Sequence, residues 1–211
     1  DKMKQLVWFW MALCADNNHL ADEVQSLREQ YEIRTGDTVT GCSKERFHQY
    51  REDLKTESFM FSYERAAKYY AINRASFSGA TFSGGWSERA SYARFTDSSI
   101  QRLRDFKAKN FRVDYADFED AMDYHPKAFL YLDPPYMLKG SQNSLYGISG
   151  NLHNSFDHER LYRLLTKRVG WVSYNNCKEI KKMYKDYEII ETEWSYGMNK
   201  SKESSEILIK G

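Results

Sequence analysis

The chain has 211 residues, 41% of them hydrophobic and 29% charged, which is enough for one domain with or without an insertion. No apolar run is long enough for a transmembrane helix, and no signal peptide is visible at the start. The three cysteines, Cys14, Cys42 and Cys177, are far apart, so the sequence supports neither a disulfide framework nor a CxxC metal pair and favours a reducing, cytoplasmic setting.

The net charge of +1 says nothing about nucleic acid, but the charges are unevenly distributed. Acidic residues outnumber basic ones in residues 1–35. Residues 89–112 are strongly basic, with only Asp97 and Asp105 as acids. This asymmetry fits a surface that faces a polyanion, although a solvated helix face is an equally open interpretation. The basic residues are Arg89, Arg94, Arg102, Arg104, Lys107, Lys109 and Arg112.

The first part of the chain is predicted to form helices separated by loops. Apolar side chains recur there at spacings of three and four residues, which is the helical period. Residues 36–41 are predicted to be a loop, and the Ser- and Gly-rich residues 76–91 a loop or an irregular hairpin. The predicted helices are residues 2–13, residues 21–33, residues 63–73 and a helix from an Asp97 cap to about Lys109.

From residue 111 onward, short apolar or alternating runs are separated by two predicted helices, residues 157–168 with Asp157 as cap and residues 177–185. This alternation predicts a parallel α/β sheet. The last two strands have no helix between them and are predicted to form an antiparallel pair at one edge. The predicted strands are residues 111–115, 128–132, 170–174, 187–194 and 206–209.

The chain is therefore predicted to contain an α/β core interrupted by an insertion. The core comprises residues 1–35 and 111–211, and the insertion, mostly helical and then rich in Gly and Ser, comprises residues 36–110.

The strand at residues 128–132 ends directly in the tetrapeptide Asp133-Pro134-Pro135-Tyr136. Ligands of open α/β sheets lie beyond the carboxyl ends of strands, so a site is expected there. Two prolines fix two φ angles and remove two N–H donors, which leaves outward-pointing carbonyl groups. The alternative is a Pro-Pro turn with a capping Asp and no function.

This tetrapeptide suits a planar amino group on a heteroaromatic base. The Asp133 carboxylate and the Pro134 carbonyl offer one acceptor for each hydrogen of that group. Hydrogen bonds to both would free the delocalised lone pair of adenine's amino nitrogen for attack. The Tyr136 ring would stack on the base and hold it out of the duplex. The predicted catalytic residues are Asp133, Pro134, Pro135 and Tyr136.

In this context the tetrapeptide resembles the amino-methyltransferases, and the chain is similar to one branch of them, the DNA adenine methylases. The similarity covers nearly the whole chain and depends on the order of the motifs. The matching segments are Asp1 with Leu6, Val7 and Phe9, then residues 47–51, residues 73–79, Asp117 with Phe118, residues 154–156, residues 173–176 and residues 205–209.

The resemblance implies a Rossmann-like sheet, S-adenosylmethionine as methyl donor, double-stranded DNA as substrate and no metal. It also implies that Asp117 accepts a hydrogen bond from the cofactor's adenine, with the Phe118 backbone beside it. Asp1 would bind the ribose hydroxyls, and Asp133 would border the cofactor. Without the resemblance, Asp117 is equally well a helix N-cap and Asp1 an ordinary solvated charge. A prokaryotic or phage origin and a cognate restriction endonuclease are further expectations.

The family opens with a strand and a Gly-rich loop for the cofactor, whereas no glycine occurs here before Gly36. A permuted order with residues 147–150 as that loop is rejected, because no buried strand precedes them. We therefore expect the chain to lack the first strands of its family. A polypeptide that binds DNA without catalysing transfer is the resulting alternative function.

Target recognition is predicted within residues 73–94, because a sheet enzyme can vary an insertion without disturbing its fold. Arginine matches the major-groove edge of guanine, and the basic residues that follow would hold phosphates. Residues 81–86 depart from the family pattern, so no base preference follows. The predicted DNA-binding residues are Asn73, Arg74, Ser76, Arg89, Arg94, Lys107 and Lys109.

RNA-adenine and protein-glutamine amino-methyltransferases use a related tetrapeptide and remain enzymatic alternatives. The glutamine enzymes usually begin it with Asn, so Asp133 argues against them. Residues 139–154 are expected to be either a loop that orders over DNA or a plain surface loop. His153, Asp157 and His158 are not spaced to converge on a metal. A solvated face is predicted for Lys178, Lys181, Lys182 and Lys185.

Overall fold

A computed structural model describes residues 1–56, 60–137, 156–166, 168–195 and 203–211. The chain is of the mixed α/β class, as predicted, and divides into two compact units between Asp117 and Phe118. No helix in the described ranges is long and apolar enough to cross a membrane.

The first unit, Asp1–Asp117, is mostly helical and is centred on helix α4. Helices α1, α2 and α3 pack against α4, whose Ala66, Ala67, Ala71 and Ala75 are fully buried. Small side chains on several faces allow the neighbouring helices to approach closely. The elements are α1 (Lys4–Ala15), α2 (Asn17–Ser26), β1 (Glu29–Glu32), β2 (Thr38–Gly41), α3 (Lys44–Lys55), α4 (Tyr63–Ala75), a 3₁₀ turn (Phe77–Gly79), α5 (Glu88–Ala93) and α6 (Asp97–Arg104).

Two predictions between residues 21 and 41 are wrong. The helix predicted at residues 21–33 ends at Ser26, and β1 pairs antiparallel with β2 inside the predicted loop 36–41. The reversal uses Gly36, whose φ of +86° is accessible to glycine without strain, and its N–H donates to Ile33. Residues 29–32 therefore form a strand, in which Tyr31 pairs with Val39, and not the end of a helix, although their apolar spacing weakly favours a helix.

Helix α6 is also shorter than predicted. Thr96, not Asp97, is its N-cap, in a capping box with Ser99, and the helix ends at Arg104 instead of Lys109. The helices predicted at residues 2–13 and 63–73 are confirmed as α1 and α4.

The second unit contains a four-stranded sheet in the order β3-β4-β6-β5. Strands β3 and β4 are parallel, whereas β6 is antiparallel to both β4 and β5. The predicted antiparallel pair at one edge is therefore confirmed, as is Asp157 as the N-cap of α8. The elements are α7 (Phe118–Tyr124), β3 (Leu130–Leu132), α8 (His158–Leu165), β4 (Gly170–Asn175), α9 (Lys178–Met183), β5 (Glu188–Ser195) and β6 (Glu203–Lys210).

Residues 111–115 do not form the predicted strand. They pair with no described strand, and the Phe111 ring packs against Trp10 and Phe106, which belong to the same unit. The apolar Phe111 is used for ring packing and not for a strand, so periodicity alone misassigned the segment.

Helices α1 and α2 share one hydrophobic core with α3, α4 and α6. Packing thus does not separate residues 1–35 from residues 36–110. The predicted division into a catalytic core and a target-recognition insertion concerns function and not packing, and it stays a prediction.

Candidate active site

Asp133 lies directly after β3, where neighbouring β4 supplies its anchor. Leu132 pairs with Val172, so the next residue of β4, Ser173, stands beside Asp133. The buried Ser173 hydroxyl donates to Asp133 Oδ1 at 2.8 Å and lies 3.4 Å from Leu132 O. The Asp133 side chain itself is exposed. One carboxylate oxygen is thus held by the sheet, while the residue faces outward.

Two acceptors beyond the strand have no partner within the described ranges. Asp133 Oδ2 receives no hydrogen bond there, and neither does the carbonyl of Pro134. Pro134 is buried and Pro135 half-buried, and neither has an N–H to donate. The segment therefore presents two acceptors that no described donor uses, which suits a ligand that brings hydrogens.

The far end of the tetrapeptide is attached to the second unit's core. Tyr136 and Met137 are half-buried and pack against its hydrophobic cluster. Asn175 Nδ2 donates to Met137 O at 3.3 Å, and the buried Asn175 Oδ1 has no hydrogen-bond partner in the described part of the chain. Residues 133–137, hereafter the 133–137 segment, are therefore held at both ends by β4.

Behind this segment lies a neutral aromatic layer. Tyr174 is fully buried, and burial raises the pKa of its phenol well above the ordinary value, so it stays protonated. Its hydroxyl is 2.8 Å from His158 Nδ1 at the start of α8. Burial likewise raises the pKa of Tyr184, another member of the cluster.

Phe118, a predicted cofactor neighbour, begins α7 and is half-buried. The Arg160 guanidinium lies 4.4 Å from the centroid of its ring, and Phe156 packs against it at a centroid distance of 5.3 Å. The side chain is thus committed to packing, which leaves the backbone for the role that the resemblance assigns.

The other predicted cofactor residues, Asp1 and Asp117, are linked within the first unit. Lys2 Nζ is 3.0 Å from Asp117 Oδ2, although the two residues are 115 positions apart. Asp1 O accepts from the Ala116 N–H, and Asp1 Oδ1 accepts from the Met3 N–H at 2.7 Å. Asp1 Oδ2 has no partner among the described residues, so this carboxylate fits the hydroxyl donors of a ribose.

Several residues predicted to bind DNA also organise residues 76–87, hereafter the 76–87 loop. Arg94 donates to Asn73 O and Ser76 O at the carboxyl end of α4. Asn73 Nδ2 donates to Gly79 O at 2.9 Å. Ser76 is fully buried, and its hydroxyl accepts from the Thr81 N–H. These polar groups face the loop's own backbone.

The loop closes on itself and on two neighbouring elements. Ser76 and Trp86 form an antiparallel bridge, which agrees with the predicted irregular hairpin. Trp86 Nε1 donates to Cys42 O at 3.0 Å, and the Arg51 guanidinium donates to Phe82 O and Gly84 O. Burial, together with the nearby Arg74, lowers the pKa of Arg94, as expected for a guanidinium inside a packed turn.

The remaining predicted DNA-binding residues are available to a ligand to different degrees. Arg89, Lys107 and Lys109 are exposed and make no ion pair with described residues. Arg74 is half-buried with its guanidinium over the Tyr70 ring. Lys107 and Lys109 lie beyond the end of α6, so the predicted basic helix is shorter than expected.

Sequence reasoning did not identify Ser173, Asn175 or Arg51 as supports of these segments. Residues 47–51 and 173–176 were among the matching segments, but their contacts join residues 31 to 41 positions apart, so the pattern did not say what they support. Residues 139–154 and His153 lie outside the described residues. The parts of the chain that the structure describes hold no group of three or more His, Cys, Asp or Glu suited to a metal.

A family model described as D12 class N6 adenine-specific DNA methyltransferase matches residues 1–198. A search of curated proteins found no match. The matched range includes the 133–137 segment, Asp1 and Asp117, and the 76–87 loop.

Proposed function

Since the chain belongs to the D12 class N6 adenine-specific DNA methyltransferases, which methylate adenine N6 with S-adenosylmethionine as methyl donor, we propose that the 133–137 segment holds the target base. The observation that supports this role is the pair of acceptors at the carboxyl end of β3. Asp133 Oδ2 and Pro134 O each suit one hydrogen of the adenine amino group. Pro135 stiffens the segment between them and Tyr136.

In the proposed reaction, adenine N6 attacks the methyl carbon, so that an N–C bond forms as the carbon–sulfur bond breaks. The sulfonium becomes a neutral thioether, and N6 transiently carries the positive charge. The Asp133 carboxylate and the Pro134 carbonyl stabilise this charge more strongly than the neutral amino group. A proton then leaves N6 for water.

The cofactor-binding residues of this proposal are Asp1, Asp117, Phe118 and Asp133. Asp1 would accept from the ribose hydroxyls and Asp117 from the cofactor's adenine amino group. In support, the Asp117 carboxylate is paired with Lys2, the residue after Asp1, and the Asp1 carbonyl accepts from the N–H of Ala116, the residue before Asp117. We further propose that the sheet is a Rossmann-like methyltransferase sheet and that residues 36–110 recognise the target.

For DNA we propose duplex as the substrate, with base reading near the 76–87 loop and phosphate binding after α6. Exposure favours Arg89 as a reader and Lys107 and Lys109 as phosphate ligands. Asn73, Ser76 and Arg94 would act indirectly, because they build the loop. A cognate restriction endonuclease for the same site stays a prediction.

The direct test replaces Asp133 with Ala. We expect methyl transfer to fall at least about a hundredfold, because the variant cannot stabilise the charge that develops on N6 in the transition state, while DNA binding is largely kept. Incorporation of a labelled methyl group into random-sequence DNA measures the rate, and Asp186→Ala, an exposed carboxylate of the same unit, is the matched control. Unchanged turnover in Asp133→Ala would refute the proposed site.

A second test concerns the stacking role of Tyr136. Tyr136→Ala should weaken retention of the extruded base by ~1–3 kcal/mol, whereas Tyr136→Trp should largely retain it because a flat face remains. DNA with 2-aminopurine at the methylated position reports extrusion as fluorescence. Equal signals from the wild type and Tyr136→Ala would remove Tyr136 from this role.

A further inference from the structure

Two side chains of β4 contact the proposed catalytic segment, and both point from the same face of that strand. Ser173 and Asn175 are two positions apart, which places them on one side of the pleat. Ser173 reaches the start of the 133–137 segment at Asp133, and Asn175 reaches its end at Met137. The two residues between Asp133 and Tyr136 are prolines, which offer no N–H for anchoring.

The Ser173 hydroxyl is placed to set the direction of the carboxylate. It has a single hydrogen, and the 2.8 Å contact with Asp133 Oδ1 is far better than the 3.4 Å contact with Leu132 O. With Oδ1 occupied, rotation of the carboxylate is restricted and Oδ2 remains for an incoming donor.

Packing alone does not require a serine at this position. Ser173 lies between the fully buried Val172 and Tyr174, and it pairs with Leu208 of β6. A hydroxyl buried in such surroundings costs free energy unless it is hydrogen-bonded, and an alanine would fill nearly the same volume. Its contact with an exposed carboxylate is therefore the property that distinguishes serine here.

We propose that Ser173 and Asn175 are positioning residues for methyl transfer: Ser173 fixes the Asp133 carboxylate so that Oδ2 faces the substrate amino group, and Asn175 fixes the end of the segment that carries Tyr136. This inference rests on the proposed function of Asp133. It assigns neither residue a contact with the reacting atoms. Their effect on rate comes from holding two acceptors in a reactive orientation.

The kinetic test compares Ser173→Ala, Ser173→Thr and Asn175→Ala with the wild type. Ser173→Ala should lower kcat roughly 10- to 100-fold with little change in KM for either substrate, since orientation and not binding is lost. Ser173→Thr keeps the hydroxyl and should recover most of the rate. Asn175→Ala should lower kcat less, because water can replace the donor to Met137 O.

Ser205→Ala is the matched control, because it removes a side-chain hydrogen bond, from Asn176 Nδ2, within the same sheet. Its kcat should equal that of the wild type. Urea unfolding of all variants separates a loss of stability from a loss of positioning. If the kcat of Ser173→Ala equals that of Ser205→Ala, the positioning role is overturned.

A crystal structure of Ser173→Ala gives a readout that is independent of catalysis. The Asp133 carboxylate should rotate away from its wild-type direction in Ser173→Ala and keep it in Ser173→Thr. A carboxylate that stays in place without the hydroxyl overturns the proposal. If the wild type transfers no methyl group, the proposed function fails, while this crystallographic comparison still decides whether Ser173 positions Asp133.

Discussion

The 76–87 loop and the 133–137 segment are both short connections rich in turn-forming residues, yet they are held in different ways. The 76–87 loop is fixed largely by polar groups that bond its own backbone or carbonyls next to it, such as Asn73 to Gly79 and Arg94 to Ser76. The 133–137 segment has two prolines and receives side-chain hydrogen bonds from Ser173 and Asn175 of β4.

This difference decides which polar groups the fold itself uses and which remain without a partner among the described residues. At the 76–87 loop, several residues predicted to read DNA are used to build the loop, which is why we propose the exposed Arg89 as the reader. In the 133–137 segment, stiffness comes from the prolines and the neighbouring strand. The Asp133 Oδ2 and Pro134 O acceptors thereby stay available to a ligand.

The largest effect on stability is expected from replacing a glycine in a strand next to each connection. These are Gly41 of β2, near the 76–87 loop, and Gly170 of β4, near the 133–137 segment. A Cβ at Gly41 would lie 2.1 Å from Ser91 O, and a Cβ at Gly170 would lie 2.4 Å from Leu130 O. Because backbone must move in both cases, each Gly→Ala change should destabilise the protein by about 3 kcal/mol in urea unfolding.

The two glycine variants should differ in what else they disturb. Gly170→Ala shifts β4 against β3 and should therefore also lower methyl transfer. Gly41→Ala shifts the backbone next to Cys42, whose carbonyl accepts the hydrogen bond from Trp86 of the 76–87 loop. Gly85→Ala is the matched control, since its Cβ meets nothing within 4 Å. If Gly41→Ala and Gly170→Ala are both as stable as Gly85→Ala, the expected clashes are contradicted.

A smaller loss of stability is expected from Arg94→Ala, and almost none from Arg89→Ala. Arg94→Ala leaves carbonyls at the end of α4 without their donor and should cost about 2 kcal/mol of stability. Arg89→Ala touches no such contact and should stay within about 0.5 kcal/mol of the wild type. Its effect should be relaxed discrimination at one base pair, by ~1–3 kcal/mol.

Urea unfolding and affinity for matched and mismatched DNA sites measure both arginine variants. A stable Arg94→Ala with relaxed specificity would show that Arg94, not Arg89, reads the base. Such a result would make the 76–87 loop a direct reader instead of a scaffold.

The smallest effect is expected from Lys107→Ala and Lys109→Ala. Both side chains are exposed beyond α6, so stability should not change. DNA of every sequence should bind slightly more weakly, and the slope of log affinity against log salt should fall by roughly one for each phosphate that the variant no longer neutralises. A salt slope unchanged in both variants would argue against phosphate binding there.

Element type was most predictable where local chemistry and long-range packing agree. The run that became β3 and the Asp157 cap of α8 were predictable because a buried strand before prolines and a capping carboxylate are local signals. Predictions at residues 21–33 and 111–115 were wrong because partners outside each segment decided the outcome. Pairing with β2 makes residues 29–32 a strand and not part of a helix. At residues 111–115, the Phe111 ring packs on Trp10 and no strand forms.

The sequence by itself determined the tetrapeptide, its position after a strand and the acceptors that it offers, because covalent structure and proline geometry fix these locally. Only the tertiary structure decided which oxygens remain available. Ser173 takes Asp133 Oδ1 across 40 positions of chain, and Arg94 is withdrawn into the end of α4. A hydrogen bond between distant segments depends on the packing that brings them together, and no pattern in either segment alone encodes it.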